Sequence, residues 1–502
     1  MARRSSLEVA RERAAIEEAR LAATVAKVKR EQLRAYEATQ PSNYHPRRKE
    51  GRSGDAVMSV ATDRLRAIAR YLDENHDLAI AVLDDFEAKI LGAGVGIEPM
   101  VRDRNGEPLN AHNDAIRALL REYVEAYPEV TGAYTWHEAA RLALRSWLRD
   151  GEVFLHHVEG RRADLAPPAG VPYAFELLEA DFCPFHVNER AREGRNRIIH
   201  GIEKNAWRRP VAFWLYPEHP GDALGAVSTG GVRDLQRVPA AEITHLKLAK
   251  RIGQTRGVTV FHGVLTRLED LKEYDDSERI AARVASAFTV AVTRSADFNG
   301  ALPETVRGAS RRVLELAPGL IIDDLMPGES IETISSDRPA ANYDPYRQAN
   351  ERSIAAGTGS ARSSISRRYD SSYSAQRQEL VESAPMYGRL GNVFYARYYR
   401  EIYRRVIEFA TLAGRLPVPR AADPATLFDH EIVPPAVGWI DPLKEAQADV
   451  IEIENGLASR AQKIRARGRD PQSVDKQIAA DTFEKPAAPP AAPARPALQE
   501  AS

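Results

Sequence analysis

The chain has 502 residues and a formal net charge of −1, and 43% of its residues are apolar and 28% charged. This length exceeds what one hydrophobic core supports, so we expect about two to four substructures in a soluble, folded protein. Because the net charge is close to zero, any contact with nucleic acid must come from local patches. The one cysteine, Cys183, excludes an intrachain disulfide and a thiolate metal cluster. No apolar run reaches the roughly 18 residues of a membrane-spanning helix.

The first 55 residues differ in composition from the rest. They are rich in Ala, Glu, Arg and Lys, which predicts a solvated helix over residues 5–37. Pro41, Pro46 and the basic run 47–49 then interrupt regular structure. Residues 1–55 are therefore a basic N-terminal helix and arm, either flexible or used for an interaction.

Residues 56–260 combine helical and β-strand patterns. Apolar residues at helical spacing predict helices over residues 63–91, 116–127 and 136–149. Short β-like runs separated by Pro, Gly and Asp follow at 152–158, 173–178, 198–203, 211–216 and 242–248. The predicted fold class is therefore α+β.

A long helix is predicted over residues 261–292, and its middle is polar on several sides. It is acidic through these residues: Glu269, Asp270, Glu273, Asp275, Asp276 and Glu278. A helix that is polar nearly all round either bridges domains or packs within an assembly.

The remaining chain alternates between modules and helices. Residues 293–342 form a small mixed module with a strand signal at 320–322, and residues 343–356 return to helix. A Ser-, Gly- and Arg-rich loop over 357–375 precedes a second long helix, predicted over 376–413. Two or three short helices are predicted within 439–485, and the Pro/Ala-rich residues 486–502 are predicted to be disordered.

Enzyme motifs are missing from the sequence. No Gly–Lys dipeptide occurs, which excludes a Walker A loop, and no Gly-x-Ser-x-Gly elbow is present. His156 and His157 are adjacent on a predicted strand and point to opposite faces, so they are expected to be structural. Paired acids such as Asp84–Asp85 most often mark solvated faces, and a nuclease site would need a further ligand. No catalytic residue, metal site or cofactor is predicted.

Several segments, in order, resemble the lambda-like family of tailed-bacteriophage portal proteins. The most specific is Arg251-Ile-Gly-Gln-Thr-Arg-Gly-Val258, which leads directly into the first long helix. The others include residues 89–97, 147–154, 209–215, 372–377 and 439–446.

The resemblance implies a portal-type fold. Its wing of helices and sheet corresponds to residues 56–260, with residues 376–438 as a long helix that returns to the wing. The two stem helices correspond to 261–292 and 343–356, and the small α/β clip between them to 293–342. A tunnel loop corresponds to 357–375 and a helical crown to 439–485.

The resemblance also implies function and partners. Such proteins form closed rings, usually of twelve, at one capsid vertex of the virion, and they are assembled in the host cytoplasm. The ring is a channel for DNA packaging and ejection. Implied partners are double-stranded DNA, the terminase large subunit, the major capsid protein and a head–tail adaptor, with no membrane. The alternatives are a capsid or neck protein without a DNA channel, or a DNA-processing enzyme.

The tunnel loop and the acidic stem helix are the candidate sites. Arg362, Arg367 and Arg368 are expected to contact DNA phosphates in the tunnel loop without reading sequence. The alternative is that these arginines pair between neighbouring subunits. The acidic residues of the first long helix would repel phosphates and keep DNA sliding, if their face is luminal.

Overall fold

The computed structural model describes residues 15–24, 51–222, 235–286, 290–294, 329–333, 342–369, 372–436 and 442–481. The chain divides into two compact units, Met1–Val57 and Met58–Ser502. Residues 15–24 form helix α1 in the first unit. Residues 1–14 and 25–50 of the predicted helix and arm, and the tail over 486–502, lie outside the described residues.

Twelve further helices follow α1 in the described chain. They are α2 (Gly54–Asn75), α3 (Asp77–Ile90), α4 (Asn110–Glu125), α5 (Trp136–Asp150), α6 (Leu265–Ser286), α7 (Tyr343–Thr358), α8 (Arg362–Ser366), α9 (Tyr373–Phe394), α10 (Arg400–Leu412), α11 (Pro442–Glu454), α12 (Arg460–Ala466) and α13 (Pro471–Ala480). None of these described helices has the combination of length and apolarity needed to cross a membrane.

Eleven strands in the described residues form four small sheets, so the chain is a mixed helix-and-sheet protein, as predicted. The strands are β1 (Gly96–Pro99), β2 (Glu152–Glu159), β3 (Tyr173–Leu178), β4 (Arg197–Ile199), β5 (Ile202–Lys204), β6 (Pro210–Leu215), β7 (Gln236–Pro239), β8 (Ile243–Lys247), β9 (Val290–Arg294), β10 (Glu329–Thr333) and β11 (His430–Val433). The sheets have the orders β1-β11, β9-β10, β3-β2-β8 and β4-β5-β6-β7, and all the strand pairs are antiparallel.

The main core joins α3, α4 and α5 to the long helix and to one face of the β3-β2-β8 sheet. Trp147 stacks on Phe394 at 6.0 Å and Trp136 lies 5.5 Å from Tyr399 between ring centroids. The helix predicted over 376–413 is confirmed: α9 continues through a π-helical turn, Tyr395–Tyr399, into α10. The long helix contributes core residues from Tyr387 to Ala410.

Two predicted elements are each split in two. The helix predicted over 63–91 breaks at His76, whose Nδ1 accepts the Leu78 N–H at 3.1 Å and so starts a new helix. The strand predicted over 198–203 is instead the hairpin β4–β5. Its turn places His200 at φ 50° and Gly201 at φ 78°, and a Cβ on Gly201 would lie 2.7 Å from Cys183 Sγ.

The helix predicted to reach residue 292 ends earlier. Helix α6 stops at Ser286, and Val290–Arg294 is strand β9, paired antiparallel with β10. Val290, Val292 and Thr293 are β-branched, and the pairing partner lies more than 30 residues further along the chain. The strand predicted at 320–322 lies outside the described residues, as does most of 293–342.

The segment predicted as a loop over 357–375 is largely ordered. Helix α7 continues to Thr358, and α8 follows, packed against α3 and α7. Ala361, Ser363 and Ile365 are buried there. Because this short helix contacts both α3 and α7, small and apolar residues are buried on more than one of its sides. The Ser-rich composition gave no indication of this burial.

Candidate functional site

Three of the six acidic residues predicted on the first long helix are paired or buried within the subunit. Asp275 accepts hydrogen bonds from Arg347 Nη1 and the Tyr343 hydroxyl, both at 2.9 Å. Arg279, through its hydrogen bond, holds the pKa of Asp276 below its ordinary value. Glu278 is only 7% exposed. Asp275 and Glu278 are therefore shielded, and the charge of Asp276 is partly compensated by Arg279.

The other three acids are more accessible. Asp270 and Glu273 are exposed and Glu269 is half-buried on α6. None of the three forms an ion pair with any residue that the structure describes. Leu268 and Leu271 on the opposite side of α6 are buried in the core. Helix α6 is therefore amphipathic over its first three turns, with an acidic outer face.

The three predicted arginines lie together on and after α8, but in different environments. Arg362 is half-buried and lies 3.4 Å from Gln348 Oε1 and 3.8 Å from Glu351 Oε2 of α7. Arg368 binds both carboxylate oxygens of Asp344 at 2.8 and 3.3 Å and, through these hydrogen bonds, lowers the pKa of Asp344. Arg367 is exposed at φ 54°, an uncommon backbone conformation for a non-glycine residue.

Beneath α8, a buried hydrogen-bond chain fixes its position. The Tyr387 hydroxyl donates to Asp85 and accepts the Ala361 N–H at 3.0 Å. Glu379 Oε1 accepts the Ser363 N–H at 3.1 Å. Burial raises the pKa of Asp85 despite this hydrogen bond. Side chains of α3 and α9 thus fix the position of α8, which carries Arg362 and precedes Arg367 and Arg368.

One group of side chains has the composition of a metal site. The ligand atoms of Glu179, Asp181 and His219 lie within 4.8 Å of one another. Arg70 Nη2, however, donates to both carboxylates, at 3.1 Å for Glu179 and 2.5 Å for Asp181. The guanidinium already supplies the positive charge that a cation would bring, so this group is a structural ion cluster.

A buried ion network at Glu152 was not predicted from the sequence. Arg256, within the segment that carries the family resemblance, is fully buried and binds Glu152 Oε1 at 2.8 Å. Its Nη1 donates to the carbonyl oxygens of Cys183 and His200 at 2.7 and 2.9 Å, and Nη2 donates to that of Ala180 at 2.9 Å. One side chain thereby joins its own segment to three others, at residue 152, residues 180–183 and residue 200.

The Glu152 carboxylate is fully satisfied by this network. It also receives Arg66 Nη2 at 3.2 Å, His245 Nε2 at 2.9 Å and the Gly257 N–H at 3.0 Å. Burial alone would raise the pKa of Glu152, but the charge of Arg256 and the His245 hydrogen bond outweigh it and hold the pKa well below its ordinary value. The sequence offered one indication of this network: Arg256 and Gly257 lie within residues 243–268, which contain no acidic residue, so any ionic partner of Arg256 had to be distant in the sequence.

The predicted histidines are structural. His157 is 1% exposed and lies 2.8 Å from the Tyr173 hydroxyl and 2.9 Å from Thr244 Oγ1. His156 points to the other face, where Nδ1 lies 2.9 Å from Glu176 Oε2. The two rings therefore lie on opposite faces of β2, as expected from strand alternation.

Comparison with known proteins identifies the family. The model for phage portal protein, lambda family, matches residues 41–390. A probable portal protein of Halomonas phage phiHAP-1 is 26% identical over 368 residues, which are 70% of this chain and 67% of that protein. Portal protein B of Escherichia phage lambda is 26% identical over 265 residues, 47% of this chain and 49% of that protein. The match thus spans about half the length of the lambda relative.

Solved structures with a similar chain come from gene transfer agent (GTA) particles. A chain from the virion of the native particle is 13% identical, with 83% of this chain and 99% of that chain covered and a TM-score of 0.43. A chain from the neck of the native particle, computed with C12 symmetry, is 14% identical at a TM-score of 0.38, with 88% and 98% covered. Because the family model matches more than half of its length, the chain belongs to the lambda family of phage portal proteins.

Proposed function

We propose that this chain forms a closed, twelve-subunit ring at one capsid vertex, and that double-stranded DNA enters and leaves through the ring. The observation that carries the proposal is the family match over residues 41–390, because a DNA channel is the role of the portal family. The terminase large subunit, the major capsid protein and a head–tail adaptor are the proposed partners. The protein acts mechanically, as a component of the virion.

The proposed layout follows the family. The wing comprises residues 56–260 and 376–438, which share the main core, and the stem comprises α6 and α7. The clip is the segment between these two helices, with the β9–β10 pair at its base. Helices α11 to α13 are the crown, which contacts β1 and α4 through Arg465–Glu98 and Lys476–Asp114 ion pairs at 2.8 and 2.6 Å.

The ring is directly measurable. Purified protein is expected to give a single species of twelve subunits in native mass spectrometry and a ring with a central hole in negative-stain images. A folded protein that stays monomeric or dimeric at micromolar concentration would contradict the proposal. A closed assembly without a central hole would favour the alternative of a neck protein that has no DNA channel.

Within the ring, Arg367 and Arg368 are the proposed DNA contacts of the tunnel loop. Both are exposed, and Arg368 can exchange the Asp344 carboxylate for a phosphate at little cost because exposed ion pairs are weak. Arg362 is half-buried beside Glu351 and Gln348, so its proposed role is to anchor α8. A ring repeats each weak contact in every subunit.

Replacing Arg367 and Arg368 together by Ala is expected to leave the ring intact and to lower its affinity for a short DNA duplex by about tenfold. The slope of log affinity against log salt should become shallower, because phosphate contacts release counterions. Fluorescence anisotropy over a salt series measures both. The matched control is Arg190→Ala/Arg192→Ala, which removes two exposed arginines elsewhere. If the double variant instead breaks the ring, the arginines bridge subunits.

For the acidic helix, the proposed channel-facing residues reduce to Glu269, Asp270 and Glu273. Their carboxylates would repel phosphates and prevent tight binding along the stem. Asp275 is assigned to holding α6 against α7, through Tyr343 and Arg347. Asp276 pairs with Lys272 and Arg279 within α6, and Glu278 is buried. The Tyr274 ring, 4.8 Å from Tyr346 between centroids, supports the same helix pair.

A further inference from the structure

Two neighbouring turns present large apolar side chains to solvent. Trp207, in the turn between β5 and β6, is 86% exposed, and Ile252, in the turn after β8, is fully exposed. A hydrogen bond of 2.6 Å from Lys204 Nζ to Thr255 Oγ1 ties the two turns together. Exposed apolar side chains that adjoin one another mark interaction surfaces more often than isolated ones do.

Both turns are braced by their own polar side chains. Asn205 Oδ1 accepts the N–H groups of Trp207 and Arg209, each at 3.0 Å. Gln254 Oε1 accepts the N–H groups of Lys250 and Arg251 at 3.0 and 3.2 Å. Because the backbone is already ordered, little conformational entropy is lost when a partner binds.

The same surface is basic. Residues 204–217 and 243–268 contain no Asp or Glu. The exposed side chains of Arg208, Arg209 and Lys250 form no ion pair with any residue in the described ranges. We call Trp207, Arg208, Arg209, Lys250 and Ile252 the turn patch.

A complementary surface lies on the outer side of α2. Val60 and Tyr71 are 75% and 50% exposed, and Ala67 lies between them at helical spacing. Asp63 and Glu74 follow one edge of this stripe, whereas Arg64 lies on the other edge. Neither carboxylate forms an ion pair within the described part of the chain. We call Val60, Asp63, Ala67, Tyr71 and Glu74 the α2 face.

The turn patch and the α2 face adjoin the same buried centre. Arg66, on the inner side of α2, and Arg256, directly after the Ile252 turn, both bind Glu152 Oε1, at 3.2 and 2.8 Å. The α2 face points away from this centre because the buried residues of the helix, among them Thr62, Arg66 and Ala69, lie on its other side. Both surfaces therefore belong to segments that are anchored to one buried ion network.

We propose that the turn patch of one subunit packs against the α2 face of the next copy of this chain in the ring. This inference rests on the proposed function. A closed ring uses heterologous contacts, so each subunit must carry two different, complementary surfaces. Apolar side chains meet apolar side chains, and arginines meet unpaired carboxylates. Duplex DNA could satisfy Arg208 and Arg209 but offers no comparable partner for Trp207 and Ile252, whereas tryptophan and arginine are common anchors of protein interfaces.

Chemical cross-linking tests the contact directly. Lys250→Cys and Ala67→Cys in one chain should give a ladder of covalent multimers with a short bismaleimide, and each single variant should give none. Cys183 is buried, which raises the pKa of its thiol to about 11, so it does not contribute background. A double variant that forms rings but no ladder overturns the proposal.

Charge reversal supplies an independent test. Arg208→Glu/Arg209→Glu should raise the protein concentration at which rings dissociate by at least about tenfold in mass photometry. Adding Asp63→Arg/Glu74→Arg should restore the ring, and the matched control Arg161→Glu/Arg162→Glu, in another exposed turn, should have no effect.

The outcomes separate this inference from the proposed function. If wild-type protein forms no ring, the proposed function fails first. If the reversed variant forms rings as stable as wild type, only the interface is wrong, and a simultaneous loss of duplex binding would reassign the turn patch to DNA. Rings that are lost and not restored by the second reversal also contradict the interface.

Discussion

Replacing Arg256 by Met is expected to lower the free energy of unfolding by about 3–5 kcal/mol, because the buried Glu152 carboxylate loses its nearest guanidinium and keeps only Arg66, at 3.2 Å, as a permanently charged partner. The Glu152 carboxylate is fully buried, and three backbone carbonyl oxygens would lose their donors at the same time. Urea unfolding followed by far-UV circular dichroism measures the change.

The control for this variant is Arg237→Met. Arg237 pairs with Glu203 at 2.8 Å but is 44% exposed, so its loss should cost no more than about 1 kcal/mol. In the double variant Arg256→Met/Glu152→Gln the cost should be smaller than the sum of the two single costs, because no buried charge is left uncompensated. Equal destabilisation by Arg256→Met and Arg237→Met would show that the buried network stabilises the fold no more than an exposed ion pair does.

The second large effect is a loss of stability as the pH falls. Burial lowers the pKa of His157 to about 2 and that of His245 to about 4, so both rings are neutral in the fold at neutral pH. In the unfolded chain they take up a proton near pH 6.5, and the unfolded state therefore binds more protons below that pH. The free energy of unfolding should fall by about 1.4 kcal/mol per pH unit for each histidine as the pH drops from 6.5 towards 4.

A titration of urea midpoints between pH 7 and pH 4 checks this slope. His157→Gln should reduce the slope by about 1.4 kcal/mol per pH unit. Below the ordinary pKa of glutamate the loss should continue, because Glu152 is ionised in the fold well below the pH at which it titrates in the unfolded chain. A stability independent of pH between 6.5 and 4.5 would mean that these histidines titrate normally.

Local periodicity predicted the elements whose pattern is self-contained. The strand expected over 173–178 is β3 without a shift, and the helix expected from 343 to 356 is found as Tyr343–Thr358. In the helix, the buried residues Ile354, Ala355 and Thr358 recur at helical spacing, and the strand is a short apolar run between turn residues, so both elements could be recognised locally. The order of short motifs along the chain likewise indicated the family, which the comparison confirmed.

The tertiary structure decided what depends on distant partners. Strand β9 required β10 to pair with, and the break at His76 depended on one ring nitrogen that caps the next helix. Strands β1 and β11, which were not predicted, lie more than 300 residues apart and define each other only by pairing.

The candidate site shows the same division. Its arginines and acids could be named from composition, but which of them are already occupied depends on partners on other helices. Arg362 pairs with Glu351 of α7, and Asp275 pairs with Arg347 of the same helix. Arg256 pairs with Glu152, which lies 104 residues away in the sequence. Sequence by itself therefore determined the family and most elements, because these follow from local pattern and order. Only the folded chain decided which charges remain free, because ion pairing depends on distance in space.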